Sequence, residues 1–171
     1  IARMKELGLR GVKLHPDFQK FYIDDPEALP MFKAIRDNGM WLIVHLGDDR
    51  FEYSQPERMA KVLDERPYIR SSHVWNTFDF GCAARDEGGV AGRNNKGLVT
   101  MDRKTKKDSY YIYKAYWNAE PMVHLCGKRY AQRAGEEREI KVYTNQDSVT
   151  LYLNGKEVAT QAPVDHICKF N

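Results

Sequence analysis

The residues that could take part in catalysis or metal binding are spread along this sequence rather than gathered in one motif. Five histidines and three cysteines are present, but no HxH, HExxH or CxxC spacing occurs, so no zinc site can be read from local spacing. His15 and His45 each end a short apolar segment, and strand ends are where barrel enzymes carry their reactive side chains. Three distant cysteines, an odd number, favour reduced thiols.

A tryptophan and two carboxylates form a second set of candidates. Trp75 lies in the aromatic segment Val74–Phe78, and the face of an indole ring can stack on the apolar face of a sugar; burial in a core is the alternative. Asp79 follows the segment directly, and Glu87 lies in the glycine-rich loop behind it. Hydrogen bonding within the loop is favoured over catalysis for both carboxylates.

Composition and charge limit the class of protein. The chain has 171 residues, 42% hydrophobic and 30% charged, with a formal net charge of +3, which is typical of a folded globular protein. No apolar run approaches the roughly 20 residues that cross a bilayer, and no signal peptide is visible, so no membrane partner is expected and the localisation stays open. The basic run 103–107 lacks a nucleic-acid motif and is expected to be a solvated loop or the entry of a helix. Because the chain begins at Ile1 rather than Met, we expect a fragment or a processed product.

The first third of the chain alternates helix and strand. A helix is expected from Ile1 to Gly8, a strand over 11–15, and a helix from the capping Asp25 to Asn38–Gly39. Met40 to Leu46 is apolar enough for a strand buried on both faces, as parallel sheets require. A further helix begins at Ser54 and Pro56 and ends near Pro67. The two strands start about thirty residues apart, the length of a βαβ unit.

The pattern changes after Pro67. Val74–Phe78 is expected to form a strand, followed by a long loop and a helix over Ser109–Trp117. Beyond it apolar residues alternate in twos, and Asn154–Gly155 predicts a hairpin. The predicted fold is an α/β partial (β/α) barrel followed by a small antiparallel β-sandwich-like segment, with domains 1–67, 68–118 and 119–171. So few strands cannot close a barrel, which predicts self-association through open sheet edges.

Residues 74–158 resemble glycoside hydrolase family 2, in its bacterial β-galactosidase-like branch. The order and spacing of six motifs carry the resemblance over about half of the chain. They are Val74–Phe80, Arg85–Gly89, Asn94–Lys104, Tyr113–Trp117, Lys141–Asn145 and Leu153–Lys156.

This resemblance implies the last barrel strand of a retaining glycosidase and the start of its β-sandwich. The two catalytic glutamates of that family would lie upstream of Trp75, in strands that this chain lacks, so no catalytic residue is assigned. The implied substrate-binding residues are Trp75, Asn76, Asn94 and Lys96, the last two as the Asn-x-Lys element that reads a sugar carboxylate in β-glucuronidase relatives. The expected ligand is a carbohydrate, either a β-galactoside or a β-glucuronide, and no cofactor is expected.

Residues 5–67 resemble a different family, the amidohydrolase-type metal-dependent hydrolases. The motifs are Gly11–Pro16, Asp24–Pro26, Val44–Asp48 and Pro56–Ala60. This resemblance implies that His45 is a zinc ligand, with His15 a weaker candidate. The chain is therefore interpreted as a chimera or fragment joined near Pro67 to Arg70. Its functions, in order of preference, are a family 2 glycoside hydrolase fragment, a metal-dependent amidohydrolase-like hydrolase, and a catalytically inactive structural module.

Overall fold

A computed structural model describes residues 1–47, 50–69, 71–130, 137 and 139–171. These residues divide into two compact units, Ile1–Tyr68 and Ile69–Asn171. The predicted three-part division at 67/68 and 118/119 stays a prediction. Asp48, which ends one amidohydrolase-like motif, and Arg70, which ends the predicted join, lie outside the described residues.

The first unit is built around one βαβ arrangement. Strand β1 pairs in parallel with strand β2, with Gly11 opposite Trp41 and Leu14 opposite Val44. The predicted parallel pairing is therefore confirmed. The elements of this unit are α1 (Ala2–Glu6), β1 (Gly11–Leu14), α2 (Pro16–Gln19), a 3₁₀ turn (Pro26–Ala28), α3 (Leu29–Asp37), β2 (Trp41–Val44) and α4 (Pro56–Asp64).

Local sequence signals set the ends of the helical segment between these strands. Asp25 caps its start, because its side chain accepts a hydrogen bond from the Glu27 N–H at 2.8 Å, as predicted. At the other end Gly39 has a φ of 64°, and the Met40 N–H donates to the Ile35 carbonyl at 3.1 Å. This is the left-handed closure that glycine allows at low cost. It turns the chain from α3 into β2.

The prediction that β2 is buried on both faces is wrong. The core of the unit consists of Val12, Leu14, Ile35 and Met40, but the side chains of β2 itself are largely solvent-exposed, with Trp41 74% exposed. A parallel strand is buried on both faces only when helices cover both sides of a wider sheet. In the described residues of this unit the sheet has two strands, so the partial barrel stays a prediction.

The second unit carries small antiparallel sheets, as predicted. Strand β6 lies between β5 and β9, while β7 pairs with β8 and β3 with β4. The elements are β3 (Phe80–Gly81), a 3₁₀ turn (Glu87–Gly89), β4 (Arg93–Asn94), α5 (Asp108–Trp117), β5 (Val123–Leu125), β6 (Ile140–Thr144), β7 (Val149–Leu153), β8 (Lys156–Gln161) and β9 (Ile167–Phe170).

The C-terminal sheets pack into a sandwich-like module. Val142, Cys168 and Phe170 from β6 and β9 form the buried centre. Val149, Leu151 and Ala159 from the β7–β8 hairpin pack against it. The hairpin turns at Asn154 and Gly155, whose φ angles are 51° and 78°, the conformation that an Asn-Gly turn favours. The predicted hairpin is confirmed.

Helix α5 docks on this module through its aromatic residues. The Tyr111 ring stacks on His124 with centroids 3.6 Å apart, and the Tyr116 ring meets the edge of His166 at 4.3 Å. Ile112 is fully buried in the same contact. The predicted helix over Ser109–Trp117 is confirmed with one additional residue at its start. Within the described part of the chain, no helix has the length and apolar character needed to cross a bilayer.

The predicted strand over Val74–Phe78 is wrong as a regular strand. The segment is irregular, the Trp75–Asn76 peptide is cis, and Phe78 forms only an isolated bridge with Val99. One local cause is the Asn76 side chain, which donates to the Phe78 carbonyl at 2.7 Å and so competes for a group that a strand would use in its ladder. The segment is nevertheless fixed, because the N–H groups of Leu98 and Val99 donate to the Asn76 and Thr77 carbonyls, both at 2.9 Å.

This close backbone contact makes Gly97 a test of the fold. A Cβ atom at Gly97 would overlap the Phe78 carbonyl carbon and the Asp79 nitrogen, and backbone atoms cannot rotate away as side chains can. We expect Gly97→Ala to lower the free energy of unfolding by about 3 kcal/mol, at the upper end for overpacking. Urea unfolding followed by tryptophan fluorescence measures it.

Gly81→Ala is the matched control for Gly97. Gly81 lies in β3, a Cβ there would meet no atom within 4 Å, and its φ is not positive. We expect a change below about 1 kcal/mol. Equal midpoints for the two variants would contradict the close packing of residues 97–99 against 76–79.

Candidate functional site

An open cavity of about 440 Å³ lies in the second unit along Trp75–Phe80, with Arg103 on its wall. The Trp75 ring is 76% exposed and meets the Phe80 ring edge-on, with centroids 6.1 Å apart. A tryptophan placed this way is supported from one side and presents a large apolar surface to the cavity. The structure therefore does not place Trp75 in a core.

Asn76 brings an unsatisfied acceptor to the wall of the same cavity. Its amide nitrogen donates to the Phe78 carbonyl, whereas its Oδ1 is buried and has no hydrogen-bond partner among the described residues. A buried acceptor left unpaired costs about 1–3 kcal/mol.

Arg103 was missed as a site residue because its sequence context suggested only a solvated basic run. Its guanidinium lies 4.5 Å from the centroid of the Phe78 ring, a cation–π distance. It lines the cavity, and it forms no ion pair with a carboxylate among the described residues. Arginine binds carboxylates through two parallel hydrogen bonds. The cavity thus combines an aromatic surface with a cation that no internal carboxylate neutralises.

Lys107, the last residue of the basic run, directly precedes α5, which agrees with the predicted helix entry, and its side chain is only 16% exposed. Its Nζ lies 2.5 Å from the Asp79 carboxylate and donates to the Asn95 carbonyl at 2.6 Å. Asp79 is buried and accepts a further hydrogen bond from the Gly97 N–H at 2.9 Å. The alternative of loop hydrogen bonding, favoured from sequence for Asp79, agrees with this geometry.

Glu87 neutralises Lys96. Their side chains meet at 2.6 Å, with the Lys96 side chain 35% and the Glu87 side chain 19% exposed. The Asn95 N–H also donates to Glu87, at 2.9 Å. The hydrogen bond from Lys96, followed by the one from Asn95, holds the pKa of the Glu87 carboxyl below its usual range. Lys96 can therefore bind an anionic ligand only in competition with Glu87.

Asn94 occupies a structural position next to this pair. It is buried, lies opposite Phe80 in the β3–β4 ladder, and accepts a hydrogen bond from the Lys96 N–H at 3.1 Å. Neither Asn94 nor Lys96 lines the cavity as it stands. The structure thus places Trp75 and Asn76 on the cavity, Lys96 in a pair with Glu87, and Asn94 in the β3–β4 ladder. Their roles in substrate binding stay predictions.

The two histidines predicted as zinc ligands lie together in the first unit. Their rings stack with centroids 3.9 Å apart and an angle of 13°. A ligating imidazole directs its lone pair in the plane of its own ring, so two parallel stacked rings do not aim at one ion. Among the described residues, neither His15 nor His45 joins a set of three metal-ligating side chains. A zinc ion shared by His15 and His45 does not fit this arrangement, and the zinc ligand at His45 stays a prediction.

A buried carboxylate lies beside these rings. Asp17 accepts a hydrogen bond from the Ser54 hydroxyl at 2.5 Å, and its Oδ2 is 3.9 Å from His15 Nδ1. Asp17 Oδ1 and His15 Nδ1 are both buried without a hydrogen-bond partner among the described residues. Ser54, expected to start α4, instead fixes this carboxylate.

Comparison with known proteins relates the chain to two kinds of hydrolase. Residues 1–74 match the sequence model of the amidohydrolase family. A β-glucuronidase of Bacteroides fragilis is 45% identical over 102 residues, which are 59% of this chain and 15% of that protein. A β-galactosidase of Bacteroides ovatus is 30% identical over 101 residues, 58% of this chain and 12% of that protein. The chain thus spans a small part of the curated relatives that it matches.

Solved structures of β-glucuronidases resemble most or nearly all of the chain. An FMN-binding β-glucuronidase from Faecalibacterium prausnitzii is 50% identical with a TM-score of 0.69, covering 86% of this chain and 26% of that one. A β-glucuronidase of Bacteroides uniformis is 27% identical with a TM-score of 0.74, covering 99% and 24%. Both resemblances predicted from the sequence are confirmed: one part of the chain is related to family 2 glycoside hydrolases and another to amidohydrolases.

The Glu87–Lys96 pair generates a pH prediction. Because the pKa of Glu87 is lowered by folding, the unfolded chain binds more protons than the folded chain in the acid range. The pair therefore stabilises the protein fully above the ordinary glutamate pKa of about 4.3, and this contribution is lost as the pH falls through the lowered value. Since both side chains are partly exposed, we expect less than about 1 kcal/mol. Urea midpoints of wild type and Glu87→Gln between pH 3 and 7 should converge in acid.

Glu139→Gln is the control for Glu87→Gln. Glu139 pairs with Lys169 at 3.2 Å, and both side chains are well exposed. We expect its urea midpoints to follow those of the wild type across the range. If Glu87→Gln also followed the wild type at every pH, the pair would contribute nothing to stability.

Proposed function

We propose that residues 69–171 form the carbohydrate-binding end of a family 2 glycoside hydrolase and that the ligand is a β-glucuronide. The observation that carries the proposal is the exposed Trp75 ring in the same cavity as the Arg103 guanidinium. An aromatic surface binds the apolar face of a pyranose, and a guanidinium binds a carboxylate. A glucuronide carries both groups on one ring, whereas a galactoside carries only the first.

The relatives support this choice of sugar. The B. fragilis relative and the F. prausnitzii structure are both named as β-glucuronidases. The predicted Asn94 and Lys96 element would add a second cation next to the cavity once Glu87 released it. The preference for a glucuronide over a galactoside would then rest on Arg103 first and Lys96 second.

Binding, rather than turnover, is proposed for these residues alone. Of the carboxylates that the sequence offered as candidates, Asp79 is held by Lys107 and Glu87 by Lys96. A retaining glycosidase needs two carboxyl groups about 5–5.5 Å apart on either side of the scissile bond, and family resemblance assigns both to strands upstream of Trp75. In the whole enzyme, residues 69–171 would hold and orient the sugar.

Tryptophan fluorescence tests the binding of the sugar. Methyl β-glucuronide should perturb the emission of wild type and of the Trp41→Phe and Trp117→Phe controls, but not of Trp75→Ala. Absence of any response to the glucuronide in wild type would overturn the proposal. Hydrolysis of nitrophenyl β-glucuronide that disappeared in Trp75→Ala would exclude an inactive structural module.

Arg103→Met tests which sugar is preferred. We expect Arg103→Met to weaken the affinity for methyl β-glucuronide about tenfold, because it removes one guanidinium–carboxylate interaction of about 1.4 kcal/mol. The affinity for methyl β-galactoside should change little. Lys104→Met removes a neighbouring exposed charge and is the matched control. Equal effects of Arg103→Met on the two sugars would contradict the role of Arg103 while leaving the role of Trp75 intact.

Metal-dependent hydrolysis by the first unit is the second candidate. The match of residues 1–74 to the amidohydrolase family favours it, but the stacked rings of His15 and His45 do not. We therefore expect calorimetric titration with zinc to give the same stoichiometry for wild type, for His45→Asn and for the control His73→Asn, whose side chain is exposed. Loss of one equivalent in His45→Asn alone would restore the zinc prediction.

A further inference from the structure

Three side chains of the types that bind zinc lie together in the second unit, away from the cavity. Asp108, His124 and Cys126 each offer a ligand atom, and these atoms all lie within 4.8 Å of one another. Among the described residues this is the one set of three that meets that condition. The residues are distant from each other in sequence apart from the His-x-Cys pair.

The fold explains why these residues converge. His124 and Cys126 are two residues apart at the end of β5, and the Cys126 N–H continues the ladder to the Lys141 carbonyl at 2.9 Å. Side chains two apart on a strand share a face. His124 is buried, whereas Val123 and Leu125 beside it point outwards and are exposed. Asp108, the first residue of α5, meets this inner face.

The carboxylate and the imidazole are held in place by other groups. Asp108 Oδ2 accepts a hydrogen bond from the Gly127 N–H at 2.8 Å, and Oδ1 lies 2.8 Å from His124 Nε2. The Tyr111 ring stacks on the imidazole at an angle of 8°. Outer contacts of this kind orient the ligands of metal sites.

We propose that Asp108, His124 and Cys126 form a binding site for Zn²⁺, with a water molecule as the fourth ligand. Bond lengths of about 2.0–2.3 Å in a tetrahedral zinc site place ligand atoms about 3.3–3.8 Å apart. The cation would replace the Asp108–His124 hydrogen bond and draw in the Cys126 sulfur. A thiolate favours zinc over the hard cations Ca²⁺ and Mg²⁺.

Zinc binding at this site would release one proton and would link α5 to β5. Cys126 is a thiol rather than half of a disulfide, so its proton is released when the thiolate coordinates, and the remaining imidazole proton resides on Nδ1. The ion would link the start of α5 to the end of β5. Its effect is therefore to stabilise the contact between the helix and the sheet, independently of sugar binding.

Cobalt substitution tests the site in the whole chain. Co²⁺ bound by a thiolate gives a charge-transfer absorption in the near ultraviolet, and we expect it to saturate at one equivalent in wild type. Cys126→Ser should abolish the absorption. Cys82→Ser should preserve it, because Cys82 is also a partly buried thiol of this unit but belongs to no such set. His45→Asn should preserve it as well, which separates this site from the histidines of the first unit.

A second measurement, alkylation of the thiols, can be made on the wild-type chain. Zinc should slow alkylation of Cys126 by iodoacetamide at least tenfold and leave Cys82 unchanged, as read by mass spectrometry of peptides. Zinc should also raise the thermal midpoint of Cys82→Ser but not that of Cys126→Ser. Absence of the cobalt absorption in wild type, its persistence in folded Cys126→Ser, or equal protection of both thiols would overturn the proposal.

Discussion

The buried ion pair between Asp79 and Lys107 holds the second unit's site together. Asp79 lies within the cavity segment Trp75–Phe80, while Lys107 immediately precedes α5. The same carboxylate accepts the Gly97 N–H, and the Asp79 N–H donates to the Val99 carbonyl. Because a buried charge that loses its partner costs about 3–5 kcal/mol, the cavity segment, residues 97–99 and the start of α5 are held in one arrangement. Arg103 lies four residues before Lys107 and contacts Phe78 of the cavity segment.

This arrangement also decides which cations remain for a ligand. Lys107 is neutralised by Asp79 and Lys96 by Glu87, whereas Arg103 contacts an aromatic ring rather than a carboxylate. An anionic ligand can use a cation fully only if no internal anion must first be displaced. Asp79 and Glu87 therefore decide which positive charges are available to an anionic ligand, because they neutralise Lys107 and Lys96 but not Arg103.

Features that depend on a few adjacent residues could be predicted from the sequence. The Asp25 cap, the Asn154–Gly155 hairpin and the extent of α5 are examples, since their causes lie within one turn of chain. The order of family motifs likewise identified both ancestries. The burial of β2 and the strand at Val74–Phe78 were predicted wrongly, because both depend on neighbouring strands that a local pattern does not reveal.

The site residues that the sequence did not reveal depend on contacts between segments that are far apart in the chain. Arg103 and Lys107 acquire their roles from Phe78 and Asp79, more than twenty residues earlier. The zinc ligands Asp108 and Cys126 meet only because α5 docks on β5. One signal was present in the sequence: His124 and Cys126 lie at the alternation that puts two ligands on one face of a strand. A rule that looks for metal ligands only as CxxC or HExxH does not detect it.

The two units differ in how completely they bury the apolar faces of their strands. The sandwich-like module closes a core between two sheets, so its strands bury one face and expose the other, as antiparallel sheets tolerate. The parallel pair β1–β2 leaves Trp41 and Ile43 exposed, although parallel sheets are stable mainly when both faces are covered. The apolar residues of β2 would be buried in a wider sheet covered on both faces, but the described residues of this unit form a sheet of only two strands. Self-association through the open edges of this sheet stays a prediction.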